Sequence, residues 1–120
     1  MSKTILIVDD SNSLRSVVKS TLTAAGYTVL EASDGNAALA LLDGRTINMI
    51  ISDVNMPGMG GLEFAEKAKA LAFYKFTPIL MLTTEINPEK KEKAKSAGVK
   101  AWMSKPFAPS SMLNAVSKLC

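Results

Sequence analysis

The chain alternates between short apolar segments and longer amphipathic ones. Four or five consecutive residues rich in Ile, Leu, Val and Met recur along it, and this length and composition are typical of buried β-strands. The predicted strands are residues 4–8, 28–32, 49–52, 78–82 and 100–103.

The segments between these strands, and the one after the last, carry apolar residues three or four positions apart, which predicts helices with one buried face. Pro109 can occupy the first turn of the last helix, where its missing N–H costs nothing. The apolar positions are Leu14, Val17, Val18 and Leu22, then Ala38, Leu39 and Leu42, then Leu62, Ala65 and Ala68, and finally Leu113, Val116 and Leu119.

The fourth helix differs from the others because its only apolar side chains between Pro88 and Ala97 are alanines. Asn87 followed by Pro88 resembles an N-cap and a first helical residue. A helix that buries so little apolar surface is expected to pack weakly and to move easily.

Strands that alternate with helices predict an α/β fold, because parallel strands need crossover connections and both sheet faces must be covered. The expected architecture is a doubly wound, five-stranded parallel sheet. In such a sheet ligands bind beyond the carboxyl ends of the strands, near the point where strand order reverses. In the flavodoxin-like order 2-1-3-4-5 the first and third strands are neighbours.

Carboxylates follow two of these strands. Asp9 and Asp10 end the first strand and Asp53 ends the third, so the three side chains are predicted to share one pocket. Each close pair repels by roughly 4 kcal/mol at ~4 Å and an effective dielectric near 20, so a divalent cation is implied. Oxygen ligands without His or Cys favour Mg²⁺ or Mn²⁺. A carboxylate beside such an ion can act as a nucleophile toward a phosphoryl group.

The ends of the last two strands add groups that can bind phosphate. Thr83 and Thr84 supply hydroxyl donors, and Lys105, which precedes Pro106, supplies an ammonium. A catalytic acid, base or second nucleophile is missing from the set. It therefore fits an acceptor of phosphate better than a turnover catalyst.

Composition narrows the function classes further. The 120 residues fit one domain with no room for a second, and Cys120 is the single cysteine. His is absent, which excludes a Ser/His triad or a His-ligated metal. No apolar run approaches the roughly 18 residues of a membrane span and no signal peptide is visible, so a cytoplasmic location is expected.

The net charge of +3 owes much to a lysine-rich segment at residues 90–95. Such a segment can bind an acidic partner or nucleic acid. The alternative is a solvated helix face in which Glu89 and Glu92 alternate with the lysines. Nucleic acid is not favoured as the primary partner, since aromatic residues are not interleaved with the basic ones.

In these motifs the sequence resembles the receiver domain of response regulators, most closely stand-alone proteins of the CheY type. The resemblance covers the whole chain, residues 1–120, with no effector domain, and it implies the strand order 2-1-3-4-5. It rests on segments 7–11 (IVDDS), 34–35 (DG), 53–61 (DVNMPGMGG), 83–84 (TT) and 105–107 (KPF).

The resemblance implies a role for each position of the site. Asp53 would accept the phosphoryl group, and Asp9 and Asp10 would hold Mg²⁺ together with Asp53 and the backbone carbonyl of Asn55. Thr83 and Lys105 would bind the phosphoryl oxygens. It also implies a cis peptide bond before Pro106.

Two positions depart from the family pattern. Trp102 stands where the family has a Tyr or Phe that changes rotamer on activation, and a fixed hydrophobic anchor is the alternative role for this indole. Gly60 replaces the usual Asp or Asn before Gly61, which weakens the cap of the third helix by only a few tenths of a kcal/mol.

The expected function is that of a phosphorylation-dependent switch. A partner histidine kinase would supply the phosphoryl group, and the phosphorylated, mainly monomeric protein would bind a downstream protein such as a flagellar motor switch. A phosphorelay intermediate that passes the group to a phosphotransfer protein remains open. A Mg²⁺-dependent phosphohydrolase is a weaker alternative, because it would need a general acid/base and usually a cap domain.

Overall fold

Parallel β-strands form the centre of the computed structural model, which describes residues 3–56, 58–84 and 88–120. The strands are β1 (Thr4–Val8), β2 (Thr28–Ala32), β3 (Met49–Asp53), β4 (Ile79–Thr83) and β5 (Ala101–Ser104). They form one sheet in the order β2-β1-β3-β4-β5 and every neighbouring pair is parallel. The predicted doubly wound α/β fold is therefore confirmed.

Helices connect the strands and cover both faces of the sheet. They are α1 (Asn12–Ala24), α2 (Gly35–Leu41), α3 (Gly61–Ala70), α4 (Pro88–Ser96) and α5 (Pro109–Leu119), with a short 3₁₀ helix at Ala72–Tyr74. Ser11 caps α1 by accepting a hydrogen bond from the Leu14 N–H, and Asp34 caps α2 in the same way. Both caps satisfy N–H groups that the first helical turn leaves unpaired.

Alternation along the strands divides the core into two layers. Leu6, Ile50 and Met81 point to the layer that contains α2 and α3, whereas Ile7 and Ile51 point to the layer beneath α1 and α5. This separation follows from the two-residue repeat of a strand, in which successive side chains face opposite sides. Because both layers are apolar, the central residues of β1, β3 and β4 are mainly apolar on both faces of the sheet.

Several predicted boundaries shift by one residue. β3 includes Asp53, β4 begins at Ile79 and ends at Thr83, and β5 begins at Ala101 and ends at Ser104. Asp53 is paired in register with Leu82, and Thr83 with Ser104, so these polar residues still belong to the ladder. The apolar pattern underestimates the carboxyl ends of the strands because the last paired residue there is polar.

One predicted helix face differs from the structure, at Val17. Val17 is 51% exposed, because the buried stripe of α1 runs through Leu14, Val18 and Leu22 and the next residue along a helix is rotated by about 100°. Helix α4 packs on α3, and Ala94 and Ala97 are buried. Asn87, the predicted N-cap of α4, lies outside the described residues. In the described part, no helix is both long enough and apolar enough to cross a bilayer.

Candidate functional site

The carboxyl ends of β1 and β3 bring three carboxylates together at the point where strand order reverses. One oxygen from each of Asp9, Asp10 and Asp53 lies within 4.8 Å of the others. Asp9 is 1% exposed and Asp53 is 7% exposed, while Asp10 is open to solvent. The predicted convergence of these side chains is therefore present.

Several hydrogen bonds hold Asp9 in place. Its Oδ1 accepts from the Ser11 N–H at 2.8 Å, and its backbone carbonyl accepts from Arg15 Nη1 at 2.6 Å. Its own N–H donates to the Ala32 carbonyl at 3.1 Å, which extends the β1–β2 ladder by one residue. These bonds fix the orientation of a charged group that the surrounding core otherwise excludes from water.

Lys105 is the cation of the pocket. Its Nζ lies 3.0 Å from Asp9 Oδ2 and 3.4 Å from Asp53 Oδ2, so one ammonium bridges two strand ends. The Lys105 N–H donates to the Thr83 carbonyl at 2.8 Å, which ties this loop to the end of β4. The peptide bond between Lys105 and Pro106 is cis, as the family resemblance implied.

Asp53 sits in an environment that disfavours its charge. Burial raises the pKa of the Asp53 carboxyl and the negative charge of Asp9 raises it further. The Lys105 charge and hydrogen bond, and the N–H of Asn55, act in the opposite direction without reversing the shift. The pocket therefore disfavours the ionised form of Asp53, and an additional positive charge would stabilise that form.

The charge of the pocket fits a divalent cation. Three carboxylates and one ammonium leave a net charge of −2 when all are ionised. Mg²⁺ takes oxygen ligands, and one oxygen from each of the three carboxylates lies within 4.8 Å of the others, so these side chains could hold such an ion together. The exposed Asp10 keeps one side of the cluster open to water, which Mg²⁺ retains in part of its coordination shell.

The remaining predicted residues lie around this centre at different depths. Thr83 is fully buried at the end of β4, one residue past Leu82, which pairs with Asp53. Thr84 and Asn55 are exposed. Trp102 is half-buried on β5 against the core layer of α2 and α3, and its Nε1 has no hydrogen-bond partner among the described residues.

Two contributors to the site escaped the sequence reasoning. Arg15 donates a hydrogen bond to the backbone carbonyl of Asp9, and its Nε lies 3.6 Å from Oε1 of Glu31. Gly61 opens α3 against β3, where a Cβ would overlap the Asp53 carbonyl oxygen. Arg15 could have been noticed from its position four residues after the Ser11 cap. Gly61 could have been noticed from the Gly60-Gly61 pair.

This combination of a doubly wound sheet and an acidic pocket bridged by lysine defines a response regulator receiver. The chain belongs to the response regulator receiver domain family, which it matches over residues 5–117. Receivers of this family typically bind Mg²⁺ at an acidic pocket, and this chain has a cluster of three carboxylates at the carboxyl edge of its sheet.

Similar proteins place the chain among receivers of the CheY type. A chemotaxis protein CheY homolog of Campylobacter jejuni is 42% identical over 107 residues, covering 88% of this chain and 82% of the relative. Chemotaxis protein CheY of Pseudomonas aeruginosa is 34% identical over 116 residues, covering 96% and 94%. The solved structure of Vibrio cholerae chemotaxis protein CheY4 is 47% identical, covers 100% of both chains and has a TM-score of 0.96.

The raised pKa of Asp53 gives a pH-dependent prediction for the metal-free protein. A carboxyl whose folded pKa exceeds its usual 3.8 destabilises the fold progressively as pH rises through that interval, because the unfolded chain ionises first. Asp53→Asn removes the ionisation. We therefore expect the stability of Asp53→Asn relative to the parent to increase as the pH rises above the usual carboxyl pKa of 3.8, in urea unfolding with EDTA.

Asp43→Asn provides a control of opposite sign. The Arg45 side chain, through a hydrogen bond, lowers the pKa of the exposed Asp43 to about 2. Its charged form therefore favours folding above its usual pKa, and this variant should gain nothing as pH rises. A gain for Asp53→Asn that is constant across the pH range would contradict the assigned cause.

Proposed function

We propose that the protein is a single-domain phosphorylation switch in which Asp53 accepts a phosphoryl group from a phosphohistidine of a partner kinase. The observation that carries this proposal is the Lys105 ammonium, which lies within 3.4 Å of both Asp9 and Asp53 at the carboxyl edge of the sheet. The proposed nucleophile, a proposed metal ligand and a cation that can pair with phosphate would then act within one pocket.

The chemistry assigned to Asp53 is a direct displacement. A carboxylate oxygen of Asp53 bonds to phosphorus as the bond between phosphorus and the histidine nitrogen breaks, and the imidazole leaves with that electron pair. The raised pKa of Asp53 reflects burial, which also removes the water shell that would weaken the nucleophile. No further acid or base on this chain is required, because imidazole is an adequate leaving group.

Asp9 and Asp10, together with Asp53 and the backbone carbonyl of Asn55, are the proposed ligands of Mg²⁺, with Mn²⁺ as a substitute. When bound, the ion would neutralise charge on the transferring phosphoryl oxygens. Asp9 enters this role already oriented by the Ser11 N–H and the Arg15 side chain. The protein's contribution is therefore to hold the acidic ligands in place before the ion arrives.

Lys105 and Thr83 are proposed to read the phosphorylated state. The phosphoryl group adds charge and oxygen acceptors on the Asp53 side of the pocket, and Lys105 can pair with them instead of with Asp9. The buried Thr83 hydroxyl lies at the neighbouring strand end. Because the Lys105 N–H is bonded to the Thr83 carbonyl, movement of either residue is passed to the other.

The proposed output surface lies between α4 and β5. A cavity of about 690 Å³ opens there, lined in part by Lys91, Lys95 and Lys100 beside Trp102. The three lysines outnumber Glu92, which also lines the cavity, and so favour an acidic partner. Since the relatives are named as chemotaxis proteins, we propose a cytoplasmic, mainly monomeric protein of chemotaxis whose phosphorylated form binds a flagellar motor switch or a phosphotransfer protein.

Incubation with acetyl phosphate and Mg²⁺ tests the phosphoacceptor role. The intact mass should increase by one phosphoryl group, and peptide mapping should locate it on Asp53. Asp53→Asn should take up none, and EDTA should prevent uptake by the parent. The matched control is Asp43→Asn, which changes an exposed carboxylate paired with Arg45 and should be modified normally. Modification elsewhere, or uptake independent of divalent metal, would contradict the proposal.

Trp102 allows the conformational part of the proposal to be followed by fluorescence. Its indole is half-buried beside the α4–β5 cavity, with an Nε1 that has no partner in the described structure. If the ring moves when Thr83 and Lys105 rearrange, beryllofluoride plus Mg²⁺ will change its emission intensity or maximum. The Asp53→Asn protein should show no change. An unaltered parent spectrum at saturation would identify Trp102 as a fixed anchor.

A further inference from the structure

Exposed apolar side chains are concentrated in one segment far from the carboxylates. Leu71, Phe73 and Phe76 are 38%, 64% and 87% exposed, and Val17 on α1 is the other large apolar residue exposed in the described part of the chain. Burial of one Phe side chain stabilises by roughly 1.5–3 kcal/mol, so leaving two in water within four residues is costly. Clustered exposure of this kind marks interaction surfaces.

Residues 71–76, which carry these exposed side chains, are held in a defined conformation. Tyr74, between the two phenylalanines, is buried, and its hydroxyl accepts from the Gly44 N–H at 2.9 Å and donates to the Arg45 carbonyl at 2.8 Å. Lys69 Nζ donates to the backbone carbonyls of Lys75 and Thr77. The exposed rings are thus presented on an anchored backbone, and such preorganisation reduces the entropy lost on binding.

The surroundings of Phe76 are positively charged. A cleft of about 440 Å³ beside its ring is lined by Lys69, Lys75, Phe76, Ser96, Ala97, Gly98 and Lys100. The sequence has no Asp or Glu from Lys67 to Thr84. Within the described residues, none of the three lysines of the cleft forms an ion pair with a carboxylate.

The lysines also affect one another. Burial lowers the pKa of Lys69, and the positive charge of Lys100 lowers it further. Lys75 Nζ lies 5.7 Å from the Phe76 ring centroid. Like charges that converge on an apolar cleft are complementary to an anionic group that brings an apolar side chain with it.

We propose that the aromatic–lysine patch, formed by Leu71, Phe73, Phe76, Lys69, Lys75 and Lys100, binds an acidic segment of another protein. An apolar side chain of that segment occupies the cleft beside Phe76, and its carboxylates pair with Lys75 and Lys100. Residues 69–76 of the patch precede β4 and Lys100 precedes β5, so the patch lies at the amino end of the strands, whereas Asp53 lies at the carboxyl end of β3. The sheet therefore separates this surface from the carboxylate pocket.

The shape and charge of the patch favour this occupant over two others. A concave cleft receives one side chain, whereas a flat bilayer surface would leave the cleft unfilled. A second copy of the chain, related by twofold symmetry, would bring the same lysines face to face. An acidic protein segment satisfies both the cleft and the charge.

NMR titration of the ¹⁵N-labelled protein tests the proposal. The probe is an acetylated, amidated peptide in which Asp and Glu flank a central Leu-Phe pair, and the matched peptide carries Asn and Gln instead of the acids. With the acidic peptide we expect shift changes confined to residues 69–77 and 96–100. Phe76→Ala should weaken binding about tenfold or more, the effect of removing an interface anchor, and Lys100→Glu should do likewise.

Val17→Ala is the control, because it truncates an exposed apolar residue on α1 and should leave the affinity unchanged. Absence of shift changes at the patch, or equal binding of the Asn/Gln peptide, would overturn the proposal. Phe76-dependent sedimentation with phosphatidylserine vesicles but no response to the peptide would assign the patch to membranes instead. Self-association in sedimentation velocity that Phe76→Ala abolishes would assign it to a second copy.

Discussion

Gly61→Ala is expected to destabilise the protein by about 3 kcal/mol or more, although alanine is the better helix former. A Cβ at Gly61 would overlap the carbonyl oxygen of Asp53 and lie 3.0 Å from its carbonyl carbon and from Val54 Cα. Every clashing atom belongs to the backbone, so no side-chain rotation can relieve the contact. The roughly 1 kcal/mol that alanine contributes within a helix is smaller than the cost of this overlap.

The consequence for the site follows from which backbone must move. Gly61 N–H donates to the Val54 carbonyl at 2.9 Å, so α3 and the end of β3 are joined at this point. Displacing Asp53 and Val54 would shift the proposed nucleophile relative to Asp9 and Lys105. Gly61→Ala should therefore weaken Mg²⁺ binding as well as stability.

Urea unfolding of Gly61→Ala beside Gly60→Ala provides the measurement. A Cβ at Gly60 meets only the Val54 carbonyl oxygen, at an ordinary 3.5 Å, and Gly60 has a φ of −71° that any residue adopts. Gly60→Ala should cost less than about 1 kcal/mol, the usual range for an uncapped N-cap position. Equal losses in the two variants would show that the close approach of α3 to β3 is not limiting.

The contrast between these adjacent glycines shows where sequence reasoning was sufficient and where it was not. Short apolar runs predicted the strand boundaries to within one residue, because strands buried on both sheet faces are rich in consecutive apolar residues. They could not distinguish Gly60 from Gly61, since the difference lies in how closely the backbone of α3 approaches the end of β3, which the residue types do not reveal. Arg15 was missed for the same reason: its partner is a backbone carbonyl, which no residue pattern reveals.

The grouping of the site side chains was predictable where the strand order alone determines which residues lie near each other. Once the strand order is known, Asp9 and Asp53 must be neighbours, and the loop after β5 must return to the same edge. The exposure of Val17, Phe73 and Phe76 was not predictable, because an apolar residue carries the same signal whether it faces a core or a partner. The packing of α1 shows that Val17 faces solvent, and the anchored Tyr74 shows that Phe73 and Phe76 do so as well.

Lys105→Met is expected to destabilise the metal-free protein by about 2–4 kcal/mol. Lys105 Nζ is 3.0 Å from Asp9 Oδ2, and the Asp9 side chain is only 2% exposed. Removal of one partner of a buried ion pair costs about 3–5 kcal/mol because a charge is left uncompensated. The Lys105 side chain is 16% exposed, so water can partly solvate the pocket, and the expected loss is smaller than for a fully buried pair.

The same substitution should make Mg²⁺ bind more tightly. In the parent protein the ammonium already neutralises part of the acidic pocket, and a divalent ion must compete with it for Asp9 and Asp53. Methionine keeps similar length without the charge. We expect the Mg²⁺ affinity of Lys105→Met to rise about tenfold, which corresponds to 1.4 kcal/mol, and the stability deficit to shrink at saturating Mg²⁺.

Unfolding curves in EDTA and in excess Mg²⁺, together with a calorimetric Mg²⁺ titration, measure both effects. Lys19→Met is the matched control, since Lys19 pairs with Glu31 at 3.3 Å while both side chains are substantially exposed. Such a pair contributes roughly 0–1 kcal/mol, so this variant should change little in either medium. Lys105→Met could instead lose the same stability with and without Mg²⁺. That result would show that Lys105 stabilises the loop by packing and does not compete with Mg²⁺ for the carboxylates.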